Sequence, residues 1–178
     1  MDSESYIHKY YANSPELEAL LLLHSRQVAE HALRVAESHP ECALDTTFLY
    51  EAALLHDIGI IQCDAPSIMC HGTHPYILHG YLGGQMLRTE GLPRHARVCE
   101  RHTGTGLTAE QILQRQLPLP PGNYCPETLE EQVICYADKF YSKSSPQAPK
   151  SLDHVLRSLS RFGEEGVRKF LLWHEQFG

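Results

Sequence analysis

A chain of 178 residues with 42% hydrophobic and 21% charged residues has the apolar content for one packed domain, which excludes wholesale disorder. Its formal net charge of −7 argues against a nucleic-acid polymer or an anionic membrane as partner, since both require a basic surface. It leaves room for a small phosphorylated substrate, because a bound metal reverses the local sign of charge.

In chain order, Ser14-Pro15 reads as an N-cap followed by proline at the first helical position. Leu17, Leu20, Leu21, His24, Val28, Ala32 and Val35 then recur at steps of three and four, which is one face of a helix. Asp45 or Thr46 caps a second helix with the stripe Leu49, Ala52, Ala53 and His56, and Gly59 is a natural stop. Residues 60 to 75 carry Pro66, Gly72 and Pro75 without a period and read as a long loop. A helix follows from about Tyr76 to Glu90; Gly91 ends it and Pro93 opens a short one to about His102. Thr108-Ala109-Glu110-Gln111 is a capping box with Leu107 and Ile112 as its staple. After the connector PLPPGNYCP, Thr128-Leu129-Glu130-Glu131 is a second capping box, opening a helix to about Ser142. SSPQAPK reads as a linker before two C-terminal helices divided near Gly163.

No stretch alternates apolar and polar residues for long, so the expected fold is all-α, a bundle of about seven or eight helices. It is expected to be one domain over 1–178, with a core at about 20–142 and a C-terminal helical pair at about 151–177. The six cysteines are scattered without a C-x-x-C pair and do not form a disulfide framework. The start, MDSESYIHKYY, lacks the basic and apolar regions of a signal peptide, and the longest apolar run is near Leu20–Leu23. A cytoplasmic protein without membrane attachment is the expectation. Histidine stands out: twelve residues, more than methionine, tryptophan and phenylalanine together.

Several polar residues fall on or beside core stripes. His24 is seven residues after Leu17 and four before Val28; His56 is three after Ala53; Asp57 adjoins it; Asp138 sits beside the Leu129, Val133, Ala137, Phe140 face. Buried without partners these groups cost several kcal/mol together. One inward histidine is ordinarily a hydrogen-bonded core residue, but three helices turning histidine or carboxylate inward point to a divalent metal, which satisfies them at once. His79 opens a helix with Gly83 one turn on, and His102 closes one; on pattern alone each is as well read as a helix-end residue as a ligand. Cys70, His71 and His74, in CHGTH, lie on the loop without a second half at metal-site spacing and read as part of a lid. There is no P-loop, dinucleotide fingerprint or G-x-S-x-G elbow.

His24, His56-Asp57 and Asp138, in that order, resemble the H…HD…D signature of the HD superfamily of metal-dependent phosphohydrolases, and HDIG at 56–59 is the form that names a subset. His79 and His102 resemble the additional ligands of six-ligand members. The segments HGYLGGQMLRTEGLP, ERHTGTGLTAEQI and LPPGNYCPETLEEQVICYADK are similar to a small uncharacterised HDIG family common in archaea. The chain departs from some bimetallic branches at Ile60, where they carry lysine, and at Thr103, where they carry histidine.

The resemblance implies a helical HD domain holding one or two divalent ions (Fe, Mn, Zn, Ni, Co or Mg) through His24, His56, Asp57, His79, His102 and Asp138. Asp57 would be both bridge and catalytic carboxylate. Lys139 and Arg101, each adjacent in sequence to one of these residues, are candidates for binding phosphate, although surface helix charge is the commoner reading of each. The expected activity is hydrolysis of a phosphomonoester or phosphodiester bond in a nucleotide or similar small substrate. The rival expectations are a non-catalytic nucleotide sensor with a retained metal pocket, and a purely structural metal.

Overall fold

The first element is one that periodicity does not announce. In the computed structural model, which describes residues 2–145 and 147–178, Ser3–Tyr11 form helix α1. Asp2 caps it by accepting from Ser5 N at 3.2 Å. Ile7 and Tyr11 are buried, and the Tyr11 hydroxyl donates to Ile58 O at 2.8 Å and accepts from Ile61 N at 3.2 Å. Two inward apolar residues are too short a stripe to read, so tertiary packing decides this helix.

Helix α2 (Pro15–Ser38) begins at the predicted proline and buries Leu17, Leu21, His24, Val28, Ala32 and Val35. Helix α3 (Thr46–Leu55) is capped by Asp45, which accepts from Phe48 N at 3.0 Å. It stops before His56, and Ile58–Gln62 continue as a 3₁₀ helix. Gly59 is therefore not a helix stop. A Cβ there would meet His79 O at 2.1 Å and Gly83 N at 2.4 Å, so its role is to let the next helix lie against this turn.

The loop expected at 60 to 75 is instead folded around a small sheet. β1 (Cys63–Ala65) pairs antiparallel with β2 (Cys70–His71) and parallel with β3 (His74–Pro75), giving the order β2–β1–β3. Strands of two or three residues contain no alternation to detect. Their register comes from backbone bonds such as Gly72 N to Cys63 O at 2.8 Å, a contact that a side chain at position 72 would obstruct.

Helix α4 (His79–Thr89) follows a 3₁₀ turn and ends at Gly91, whose φ of +75° allows Leu92 N to reach Leu87 O at 2.9 Å. Helix α5 (Pro93–Arg101) opens on its proline. Both capping boxes form: Thr108 with Gln111 opens α6 (Ala109–Gln114), and Thr128 with Glu131 opens α7 (Leu129–Asp138). Helix α7 ends a turn earlier than predicted, because Phe140 N bonds Ala137 O and Tyr141 N bonds Asp138 O in tighter three-residue turns. Helices α8 (Leu152–Ser160) and α9 (Glu164–Phe177) divide at Gly163, with φ +114°. The predicted linker includes Pro146, which lies outside the described residues, as does Met1.

The molecule is thus mostly helical, with nine α-helices and three short strands among the described residues; α1 is the helix that was not predicted. One core joins α2, α3, α7 and α9; a second joins α1, the start of α2, the 3₁₀ turn after α3, α4 and α5.

Candidate metal centre

The middle of one helix and the ends of four others meet at one place. His24 lies mid-way along α2, His56 and Asp57 just beyond α3, His79 at the first position of α4, His102 just beyond α5 and Asp138 at the end of α7. Helix ends free the side chain from the packing of the next turn, so several can converge without displacing core residues.

The six donors form two groups that share Asp57. Its Oδ2 lies 3.1 Å from His24 Nε2 and 2.9 Å from His56 Nε2. Asp138 Oδ1 closes that group at 3.1 Å from His24 Nε2 and 3.4 Å from His56 Nε2. The other oxygen of Asp57, Oδ1, lies 3.4 Å from His79 Nε2 and 3.3 Å from His102 Nε2. In each group the ligand atoms lie within 4.8 Å of one another, as a metal ion requires.

Backbone carbonyls orient three of the rings. His56 Nδ1 donates to Ala53 O at 2.7 Å, His79 Nδ1 to Tyr76 O at 2.6 Å and His102 Nδ1 to Cys99 O at 2.7 Å. A carbonyl only accepts, so in the rings that burial keeps neutral, His79 and His102, the proton sits on Nδ1 and Nε2 presents a bare lone pair to the centre, the tautomer a metal ligand needs. Tyr76 stacks on His79 with ring centroids 4.6 Å apart and 22° between planes. His56 Nε2, both ring nitrogens of His24 and Asp57 Oδ1 are buried without a hydrogen bond. That is costly unless a cation satisfies them.

Charge sorts the groups. Burial pushes His79 down to about 3, with the neighbouring His102 ring adding to it, and burial also lowers His102. Both rings are therefore neutral at ordinary pH. Burial opposes ionisation of Asp57, yet Lys143 and His56 hold it well below the usual carboxylate range. Asp138 is likewise held low against burial by Lys139 and the histidines. His56 is pulled down by burial but raised to about 9 by Asp57 and Asp138.

A pocket of about 530 Å³ opens beside this centre, lined at the near end by Asp138, Lys139, Lys143 and Gly104. Lys139 Nζ lies 2.7 Å from Asp138 Oδ2 and donates to His102 O at 3.0 Å. The expectation for Arg101 needs correction. Its guanidinium bonds Cys125 O at 3.2 Å and pairs with Glu127 at 2.6 Å and with the buried Glu131, so carboxylates already occupy it. Lys143 was missed. Its ammonium pairs directly with Asp57 Oδ2 and lines the pocket. Its signal in the sequence was slight: it stands four residues after Lys139, at the edge of the predicted linker. In CHGTH, Cys70 is buried in the small sheet while His71 and His74 are exposed, and neither of the two donor groups found among the described residues includes them.

Residues 21–142 match the HD domain family. The chain belongs to the HD domain family. Among its relatives, this HD domain protein is 37% identical over 132 residues to an uncharacterized protein of Methanocaldococcus jannaschii, covering 68% of this chain and 70% of that one. It is 33% identical over 123 residues to the tRNA (cytidine(56)-2'-O)-methyltransferase of Thermoplasma volcanium, covering 68% of this chain and 32% of that one. The enzyme of the same name from Picrophilus torridus is 32% identical over 130 residues, with 72% and 33% covered. The HD domain protein therefore spans about a third of the length of these two methyltransferases. No solved structure matches it. Among the described residues no helix is long and apolar enough to cross a membrane.

Proposed function

We propose that this HD domain protein is a divalent-metal-dependent phosphohydrolase. Its substrate would be a nucleotide or similar small phosphorylated molecule, cleaved at a phosphomonoester or phosphodiester bond. The observation that carries this reading is the divided carboxylate of Asp57, with Oδ2 facing His24 and His56 and Oδ1 facing His79 and His102.

The donor chemistry fits the group. Imidazole nitrogens and carboxylate oxygens suit Fe, Mn, Zn, Ni or Co, and carboxylates with water suit Mg. His24, His56, Asp57 and Asp138 would hold one ion, and His79, His102 and Asp57 a second. When bound, such ions polarise a phosphoryl oxygen and acidify water towards neutral pH. The chain's own residues do the remainder. Asp57 and Asp138 stay ionised and set the charge of the centre. Lys139 and Lys143 place ammonium groups at the near end of the pocket, where they would face the oxygens of a phosphate. Carbonyls at Ala53, Tyr76 and Cys99 hold the rings in place and so limit reorganisation. The acidic net charge favours a small substrate over a polymer.

The test combines metal analysis of protein purified without chelator with phosphate release from a nucleotide panel in Mn, Co, Ni, Fe or Mg. One or two equivalents of metal and metal-dependent release are expected. Bound metal and bound nucleotide without release under any condition would replace this reading with a sensor. Protein that binds no metal would overturn both.

A further inference from the structure

We infer that the pocket is a mononucleotide subsite, with the phosphate at its lysine end and the base against an apolar wall completed by Phe162. The inference rests on the phosphohydrolase reading above and narrows it to nucleoside monophosphates.

The pocket lining is mixed in polarity. Lys139 and Lys143 stand at the end that touches the metal centre, with Lys150 beyond them. Lys150 is anchored, its ammonium donating to Lys139 O at 3.3 Å and Tyr141 O at 3.1 Å. Hydroxyls of Ser142, Ser144 and Ser158 also line the pocket, and Ser142 Oγ lies 3.0 Å from Ser144 Oγ. The apolar lining comes from Ile68, in the turn between β1 and β2, and from Val155 and Leu159 of α8. Cations, hydroxyls and apolar wall match the phosphate, sugar and base of one nucleotide.

Phe162 distinguishes this from an ordinary polar cleft. It lines the pocket from the turn between α8 and α9 yet is 66% exposed, whereas Phe48, Phe140, Phe170 and Phe177 are buried. Its carbonyl is tied to the end of α6, where Arg115 donates to Phe162 O at 2.5 Å. An anchored residue with an exposed ring on a pocket is a stacking platform for a base, since every base has a π-face. A cavity of about 530 Å³ is of the size that takes one small ligand, so a second nucleoside would lie outside it. The reaction would be monoester hydrolysis. The oxygen of water bonds to phosphorus, the bond from phosphorus to the ester oxygen breaks, and that oxygen leaves with the electron pair and takes a proton. The products are nucleoside and inorganic phosphate.

The experiment compares the four ribonucleoside 5'-monophosphates with ribose 5-phosphate, which keeps the phosphate and sugar but lacks the base, on the metal-loaded protein. Wild type should hydrolyse at least one nucleotide with kcat/KM about tenfold or more above ribose 5-phosphate. Phe162→Ala should raise KM for that nucleotide about 5–150-fold with kcat nearly unchanged, a span set by the usual worth of a base–aromatic stack. Ribose 5-phosphate kinetics should stay as in wild type, and Phe162→Tyr should restore the nucleotide KM. Binding of a non-hydrolysable phosphonate analogue of the nucleotide is measured in parallel. Equal efficiency for nucleotides and ribose 5-phosphate, an equal effect of Phe162→Ala on both, or a preference for dinucleoside polyphosphates would overturn the subsite. If no ester is cleaved but the phosphonate binds and Phe162→Ala weakens it, the hydrolase reading fails and the subsite stands. If neither binding nor cleavage occurs, both fail.

Discussion

His79 Nε2 and His102 Nε2 lie 2.9 Å apart, although the Nδ1 of each ring donates to a backbone carbonyl. Both rings are held neutral by burial, so two lone pairs face each other beside Asp57 Oδ1. A cation held by both rings would turn this repulsion into coordination. His79→Ala and His102→Ala should therefore each lower the metal content from two ions towards one, and turnover should fall about 100-fold or more. Metal analysis of each variant checks this. Unchanged metal content with weaker substrate binding would make both histidines phosphate ligands beside a single ion.

Asp57 serves both donor groups, so its removal should do more than removal of either histidine. Asp57→Ala should abolish hydrolysis and lower the metal content, whereas Asp57→Asn should keep part of the metal through its remaining oxygen. A drop in kcat of about 1,000-fold or more is expected for the alanine variant. Full activity in Asp57→Ala would place the chemistry elsewhere.

Lys143→Met keeps the length of the side chain and removes the charge that pairs with Asp57 Oδ2. We expect kcat/KM to fall about 10–100-fold while metal is retained, because the ammonium acts on charge at the pocket rather than as a ligand. Simultaneous loss of metal would show Lys143 to be needed for the carboxylate's position instead.

Gly59→Ala tests how the centre is assembled. The added methyl would sit 2.1 Å from His79 O and 2.4 Å from Gly83 N, both backbone atoms that have no rotamer to change. Separating α4 from the 3₁₀ turn should cost about 2–4 kcal/mol and move His79 away from Asp57. Denaturant titration and metal analysis together read both effects; a variant as stable as wild type with full metal would show that the two backbones part easily.

His31 gives the fold an acid sensitivity outside the candidate metal centre. Its ring packs against Tyr136, Phe140 and Tyr141, and Nδ1 is buried without a hydrogen bond. Burial, with Arg34 nearby, lowers it from 6.5 to about 4. Between those values the unfolded chain binds the extra proton, so stability is complete above about pH 6.5 and declines as pH falls towards about 4. The ring is partly exposed, so screening reduces the loss to about 1–2 kcal/mol. Urea midpoints at pH 7.5 and pH 5 should differ less in His31→Phe than in wild type. An identical pH dependence in both would rule His31 out.

The sequence alone determined the helices that carry their own punctuation. Pro15, Pro93, the two capping boxes and Gly91 are local devices, each satisfying or sparing backbone groups within a few residues, and each helix begins or ends where they say. His24, His56, Asp57 and Asp138 were also legible, because polar groups on or beside apolar stripes cost too much to be accidental, whereas His79 and His102 stood out only by resemblance to six-ligand HD proteins. The remainder was decided by contacts between distant segments. Helix α1 exists because Ile7 and Tyr11 find a core made by residues some fifty positions away, with Tyr11 bonded to Ile58. The small sheet forms through bonds such as Gly72 N to Cys63 O, in strands too short to show a period. Asp57 divides its two oxygens between partners on four helices, Lys143 turns into the centre from the edge of a linker, and Arg101 turns away to Glu127 and Glu131. Residue type and spacing say that a charge is available; which neighbour neutralises it depends on the packing of helices that are remote in sequence, and only the tertiary structure sets that.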